Sequence, residues 1–288
     1  MAMMTVDSSV LKEVYKERPM WSHKGDFGKL LVIGGSKIYT GSPALVAYGA
    51  MAALRTGVDL VMVAAPSRPA DIVAKFSPNL ITEPFEGDFF TPKHLKRIME
   101  LVKNYDAVAI GPGLGIEKET HKFVVRFAES VKKPCVVDAD ALKALGKKRL
   151  LDNFLLTPHS YEFYYMTGEK PKQDILGRAE LVKKYAKRTG ATILLKGAVD
   201  IISDGRQTAI SKTGNPYMTV GGTGDVLTGI CGALLAQKVA PFKAACAAAF
   251  VNGMAGTMAA KEKRPILATD VIEKIPEVLK HVLPEPEK

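Results

Sequence analysis

The feature that most constrains the fold is a succession of short, almost uninterrupted apolar runs with longer helical patterns between them. The runs are Lys29 to Gly34, Asp59 to Ala65, Ala107 to Gly111, Cys135 to Asp138, Phe154 to Thr157, Thr192 to Lys196 and Asp200 to Ser203. A strand that is apolar at nearly every position has no polar face to give to water. It is covered on both sides, as in a mostly parallel sheet between two helical layers. Helix signals fall between the runs. Ser42 caps a helix with Pro43 at its first position, and Gly57 ends it just after Thr56. After Gly222 the pattern changes to two or three long helices rich in alanine and other small residues. These signals predict an α/β chain folded as one domain over residues 1–288, with a three-layer α/β/α sandwich around a mostly parallel sheet. Val10, Leu11, Val14 and Tyr15 predict a short amphipathic helix in the extension 1–20, lying on the body. The tail 284–288 is expected to fray.

Composition narrows the function classes. The chain has 288 residues, enough for a core that needs no disulfide or structural metal. Its three cysteines, Cys135, Cys231 and Cys246, have no C-x-x-C spacing. That argues against a disulfide framework or zinc cluster and fits a reducing, cytoplasmic setting. The first thirty residues lack the apolar core and cleavage site of a signal peptide. The uncharged stretch from Ala244 to Ala260 contains Asn252, Gly253, Gly256 and Thr257. It reads as a buried helix, since a membrane span needs ~18 strongly apolar residues. The net charge of +10 comes from lysines scattered through helical segments, with no basic tail. Neither a nucleic acid nor a membrane is expected as a partner; a phosphate-bearing small molecule is.

In open α/β sheets ligands bind beyond the carboxyl ends of the strands. Here those ends carry Gly34-Gly35-Ser36, Gly111-Pro112-Gly113-Leu114-Gly115, Asp138-Ala139-Asp140, Thr157-Pro158-His159 and Lys196-Gly197. The strongest signal is Gly221-Gly222-Thr223-Gly224-Asp225 followed at once by an apolar helix. Three glycines at a helix N-terminus expose backbone amides, which with the helix dipole form an anion site. Asp225 beside such a site is poorly placed to hold an anion. It is well placed to take a proton from a hydroxyl attacking a phosphoryl group. The competing reading makes Asp225 a first-turn cap, which leaves the glycines unexplained. No P-loop and no G-x-G-x-x-G is present. From spacing alone, the loop Gly111 to Gly115 is equally a tight turn or a close approach to a ligand, and Lys196 equally a surface lysine or a phosphate contact. His159, with Glu162 three residues on, is either a capping box or a ligand-facing imidazole beside a carboxylate that orients hydrated Mg²⁺. His23, His94, His121 and His281 are expected at the surface. Asp140 reads as a helix cap and Asp138 as facing the site. Phe163, Tyr164, Tyr165 and Met166 are expected to form core and covering surface.

Taken in order, these segments resemble one family. They are Gly34-Gly35-Ser36 with Gly41 to Ala47, Gly111 to Gly115, Val137 to Leu142, Leu156 to Glu162, Leu195 to Ala198 and Gly221 to Gly229. The set resembles the ADP- or ATP-dependent NAD(P)H-hydrate dehydratases, which have a ribokinase-like fold; the last segment alone would indicate only the ribokinase superfamily. The resemblance implies a hydro-lyase that repairs hydrated NADH and NADPH (the S epimers of NADHX and NADPHX). It implies phosphorylation of the C6 hydroxyl by ADP or ATP, then loss of phosphate. It makes Asp225 the base and has the amides of Gly222, Thr223 and Gly224 stabilise the transition state. Ala44, Gly113, His159 and Asp225 would contact the hydrate. Lys196, Gly197, Ala198, Val199, Asp200 and Gly224 would contact the adenine nucleotide. Mg²⁺ would accompany the phosphates, with Glu162 holding it through water.

Three positions depart from what the family often has: Ser160-Tyr161 stands in place of Pro-Gly, and Asp200 in place of a threonine. Many relatives carry an N-terminal epimerase domain. Only about twenty residues precede the core here, so a separate NAD(P)H-hydrate epimerase is expected as pathway partner. A homo-oligomer is expected on the same resemblance. The alternatives are a small-molecule kinase of the vitamin-precursor type on the same fold, and a nucleotide-sensing binding protein without turnover. The latter would gain nothing from a carboxylate beside phosphates.

Overall fold

Period-two alternation along the strands decides which helices cover which face. In the strand Lys29–Ile33, Leu30 and Val32 join one core while Leu31 and Ile33 join the other. The same division repeats at Ala107 and Ala109 against Val108 and Ile110. The structure, a computed structural model, describes residues 3–15, 18–54, 57–280 and 282. The expected tail 284–288 and His281 lie outside the described residues.

In chain order the elements begin β1 (Met4–Thr5), α1 (Ser9–Val14), β2 (Lys29–Ile33), α2 (Ser42–Leu54), β3 (Leu60–Pro66), α3 (Ser67–Ala74) and β4 (Ile81–Phe85). The middle of the chain gives α4 (Leu95–Val102), β5 (Ala107–Ile110), α5 (Lys118–Ser130), β6 (Cys135–Val137), α6 (Ala139–Leu145), β7 (Phe154–Leu156) and α7 (Ser160–Thr167). Then follow α8 (Ile175–Thr189), β8 (Thr192–Leu195), β9 (Asp200–Ser203), β10 (Thr208–Ser211), α9 (Thr223–Ala236), α10 (Pro241–Glu262) and α11 (Ala268–Leu279). The sheet order is β1-β10-β9-β8-β7-β6-β5-β2-β3-β4. Among the described residues only β9 runs antiparallel to both its neighbours. Helices α1 to α3 and α9 to α11 pack on one face, and α4 to α8 on the other. This is the expected three-layer sandwich.

Three strands escaped the sequence reading. β4 is an exposed edge strand containing Glu83 and Pro84, so it has no apolar run. β10 is a short hairpin partner of β9. β1, of two residues, adds to the edge of β10, so the N-terminal extension contributes a strand as well as the expected short helix. His94 also corrects the expectation of a surface histidine. It is buried, its Nδ1 accepts from the Thr91 amide at 3.1 Å, and its ring packs on Phe85 and Phe90. The three cysteines are free and buried, and burial pushes each thiol up, so none is a ready nucleophile. The Ala-rich stretch forms α10, a buried helix as expected. Among the described residues no helix is long and apolar enough to cross a membrane.

Two features of this topology position the site. First, the chain leaves β2 toward β3 and β4, then returns to the other side of β2 with β5, β6, β7 and β8. The crevice between the ends of β2 and β5 is the point where ligands bind in such sheets. Second, α9 packs closely on the middle of the sheet because it presents a glycine there. Gly232 abuts Leu30 and Ala109 without room for a side chain. The N-terminus of α9 therefore opens at the carboxyl edge of the sheet.

The loops at the crevice are stitched together by backbone. Gly111 donates to Ile33 O at 3.1 Å, and Gly35 donates to Pro112 O at 2.8 Å. Gly111 has φ +136, and a Cβ there would overlap the Asp138 carbonyl oxygen. Gly111→Ala is expected to cost on the order of 3 kcal/mol or more, since backbone strain and overpacking act together. Thermal melting checks this. A melting temperature within a degree of the parent would show that the loop can shift.

Candidate active site

α9 begins at Gly222, which adopts φ +95 as the capping residue. A side chain at that position would press on Leu45 Cδ1 at 2.7 Å and Ala268 Cβ at 2.9 Å. The Thr223 hydroxyl turns back to Met218 O (2.9 Å) and Val220 O (3.1 Å), closing the preceding loop. What Thr223 has left to offer a ligand is its amide, one of the first helical N–H groups that lack an intrahelical acceptor.

Asp225 stands in this first turn. Its Oδ1 accepts from Ser42 Oγ at 2.9 Å. Burial and the nearby Asp138 charge push its carboxyl up to about 7, against the pull of Ser42 and Lys196. A carboxylate poised near neutrality is what a general base needs.

Lys196 leaves the end of β8 and donates to Asp138 Oδ1 at 2.9 Å, with Glu162 Oε2 at 3.8 Å. A Cβ added to Gly224 would sit 3.2 Å from Lys196 Nζ, so the ammonium lies at the mouth of the helix N-terminus. Burial opposes its charge, but Asp138 and Glu162 outweigh burial and hold its pKa above the ordinary lysine range. Asp138 is itself buried, and its second oxygen accepts from Thr228 Oγ1 at 2.7 Å. Lys196, Asp138, Thr228, Gly224 and Asp225 thus form one connected cluster. Asp138, Glu162 and Asp225 all act on Lys196 there and support its charge.

The other expected residues divide. His159 is the capping residue of α7. Its Nδ1 accepts from Tyr161 N (3.1 Å) and Glu162 N (3.4 Å), while its own amide donates to Glu162 Oε2 at 2.8 Å. The capping-box reading is therefore correct, and the ring still presents an exposed face. With Nδ1 accepting, the neutral ring carries its proton on Nε2, which lies 3.5 Å from Glu162 Oε1. Tyr161 is exposed beside it, at a ring separation of 6.5 Å. Glu162 is buried, and burial raises its pKa despite Lys196.

Gly113 packs against Tyr39 and Ser42, bringing its loop to Asp225's partner. Ala44 is different: its side chain lies in the core, so only its backbone remains for a ligand. Gly197, Ala198 and Val199 form the turn between β8 and β9. Asp200 closes that turn by accepting from Gly197 N at 2.9 Å. Burial pushes Asp200 up to about 6. This gives the departure from threonine a local structural role.

Four residues were missed or misread. Ser42 is the first residue of α2, yet its hydroxyl crosses to Asp225. Asp140 is not a cap; it accepts from Gly115 N at 2.9 Å and pairs with Lys143, so it pins the glycine loop. Thr228 could have been read from its place three residues after Asp225 on one helix face. Arg178, which reaches Lys196 O at 3.4 Å from α8, left no signal.

Mg²⁺ takes oxygen ligands and typically one or two carboxylates plus phosphates and water. Among the described residues no three His, Cys, Asp or Glu side chains cluster to hold a metal. Both Glu162 oxygens already face partners. Glu162 therefore fits a water-mediated role, with the nucleotide phosphates supplying the direct ligands.

Comparison with known proteins identifies the family. The NAD(P)H-hydrate dehydratase profile matches residues 30–277. The bifunctional NAD(P)H-hydrate repair enzyme Nnr of Pyrobaculum aerophilum is 46% identical over 262 residues, covering 90% of this chain and 52% of that protein. The chain thus spans about half the length of such bifunctional relatives. The ADP-dependent (S)-NAD(P)H-hydrate dehydratase of Cenarchaeum symbiosum is 40% identical over 286 residues, 97% of this chain and 98% of its own length. Among solved structures, the ADP/ATP-dependent NAD(P)H-hydrate dehydratase of Bacillus subtilis, co-crystallised with ATP/Mg²⁺, superposes with a TM-score of 0.83 at 26% identity. That match covers 98% of this chain and 99% of the Bacillus chain, so the ribokinase-like fold is shared throughout. With the family profile matched over residues 30–277 and 40% identity along 98% of the Cenarchaeum dehydratase, the chain belongs to the NAD(P)H-hydrate dehydratase family.

Proposed function

We propose that this protein restores NADH and NADPH from the S epimers of their hydrates, using ADP or ATP as phosphoryl donor. The observation that carries this is Asp225, a carboxyl poised near neutrality in the first turn of α9, with Lys196 beside the same helix N-terminus. On this reading the amides of Gly222, Thr223 and Gly224 would hold the transferring phosphoryl group, with Asp225 in the same first turn. Asp225 takes the C6 hydroxyl proton as that oxygen attacks the terminal phosphorus of the nucleotide. The helix amides and Lys196 stabilise the charge on the transferring group, a contact worth ~3 kcal/mol per donor. The C6–O bond then breaks, phosphate leaves, and a proton lost from C5 restores the ring double bond. Mg²⁺ neutralises phosphate charge when bound, with Glu162 holding its water.

Gly113, His159 and the Ala44 backbone line the hydrate side of this reading. Lys196 to Asp200 and Gly224 line the nucleotide side. The proposal further includes a cytoplasmic location, a single catalytic domain, a separate epimerase for the other epimer and a homo-oligomer, although the bifunctional relatives point to a second activity joined to this one in a single chain.

The test is ³¹P NMR of a reaction with NADH hydrate, ADP and Mg²⁺. One AMP and one free phosphate per NADH formed are expected. A stable phosphate ester on the ring would place the chain among the kinases of the fold. No nucleotide consumption would favour a binding protein.

A further inference from the structure

We infer that Ser42 is a positioning residue for Asp225: its hydroxyl holds one carboxylate oxygen, leaving the other free for the substrate hydroxyl. This rests on the reading of Asp225 as the base. The bond from Ser42 Oγ to Asp225 Oδ1, 2.9 Å, joins residues 183 positions apart in the chain. It links the first residue of α2 to the first turn of α9. Serine at a helix start ordinarily spends its oxygen on the amides of its own helix. Ser42 instead gives its proton to a carboxylate on another helix.

Its surroundings hold it there. Pro43 follows it in the first turn and fixes the backbone. The missing side chain of Gly113 lets the loop from β5 close on it, since a Cβ there would sit 3.1 Å from Ser42 Cβ. Ser42 therefore stands between the base and a loop on the hydrate side.

A carboxylate gripped at one oxygen keeps a single orientation. Released, Asp225 would be free to turn toward the Lys196 ammonium, the positive charge that acts on it. Ser42 also has an electrostatic effect with a definite sign. A hydroxyl donating to a carboxylate favours its charged form. The charged groups acting on Asp225 are Asp138, which raises its pKa, and Lys196, which lowers it. Ser42 acts with Lys196. Without it, burial and Asp138 push the base further up, and less of it is ionised at neutral pH.

The experiment is the pH dependence of kcat/KM for NADH hydrate with saturating ADP and Mg²⁺, in wild type, Ser42→Ala, Ser42→Cys and Ser42→Thr. The wild-type profile is expected to rise through a limb near pH 7. In Ser42→Ala the limb moves up by about one pH unit, so the loss at pH 6 exceeds the loss at pH 9 about tenfold. Ser42→Cys, similar in size with a weak donor, moves the limb part of the way, and Ser42→Thr restores it. A loss of equal size at every pH, or a limb that moves down, would show a structural role only and overturn the inference. A wild-type enzyme that binds ADP but forms no NADH would overturn the functional reading, and this assignment with it.

Discussion

Asp225→Asn is expected to lower kcat at least a thousandfold while leaving the ADP dissociation constant within about threefold, because it removes the base and little else. Asparagine keeps an oxygen that accepts the Ser42 hydroxyl, so local geometry is retained. The same variant should be more stable than the parent. The carboxyl is held near 7 when folded, well above its ordinary value of 3.8. Between those two values the unfolded chain gives up this proton and the folded chain keeps it. Rising pH therefore favours unfolding through that window, and the penalty is complete above pH 7. Asparagine carries no such penalty. Its melting temperature should exceed that of wild type at pH 8, and the gap should close toward pH 4. Steady-state assays and melts at both pH values check the pair of effects. Turnover within tenfold of wild type would remove Asp225 from the chemistry.

Lys196→Ala is expected to act on binding, chemistry and stability at once. The ammonium lies against Gly224 and pairs with Asp138, whose side chain is 3% exposed. Removing it leaves Asp138 and Glu162 buried without their cation, a change that costs about 3–5 kcal/mol when one partner of a buried pair is lost. It also takes away a positive charge from the transferring phosphoryl group, worth about 3 kcal/mol, or roughly a hundredfold in rate. The variant should melt several degrees lower, bind ADP at least tenfold more weakly and turn over at least a hundredfold more slowly. Calorimetry with ADP separates binding from rate. An unchanged ADP dissociation constant would place the nucleotide phosphates elsewhere. The lost stability should be partly recovered in Lys196→Ala/Asp138→Asn, because the orphaned charge is then gone.

The sheet and the glycine loop were legible in sequence because each is a one-dimensional signal. Leu30 to Ile33 and Thr192 to Leu195 are apolar at almost every position, and burial on both faces follows directly. The turn at Gly222 needs a positive φ and space that only glycine has, which is why the cluster of glycines stood out. Strands without an apolar run did not announce themselves: β4 carries Glu83 and Pro84, and β1 is held only by pairing with β10.

The site was half legible for a related reason. Asp225 and Lys196 could be placed at strand and helix ends from local pattern. Their pairings could not, because each partner is far away along the chain: Ser42 lies 183 residues from Asp225, and Asp138 lies 58 from Lys196. Ser42 and Asp140 were read as caps because capping is what local sequence predicts for serine and aspartate at a helix start. Tertiary partners redirected both side chains. Burial and the Asp138 charge raise Asp225 while Ser42 and Lys196 oppose them, so its protonation behaviour became visible only with the fold.

The most direct measurement is the absorbance at 340 nm of acid-prepared NADH hydrate mixed with the protein and Mg²⁺, with ADP in one cuvette and ATP in another. The account predicts recovery of NADH absorbance in at least one cuvette, halting near the fraction of the S epimer and completed when an epimerase is added. The faster cuvette identifies the phosphoryl donor. No recovery with either nucleotide and a working epimerase would contradict the assignment of this site to hydrate repair.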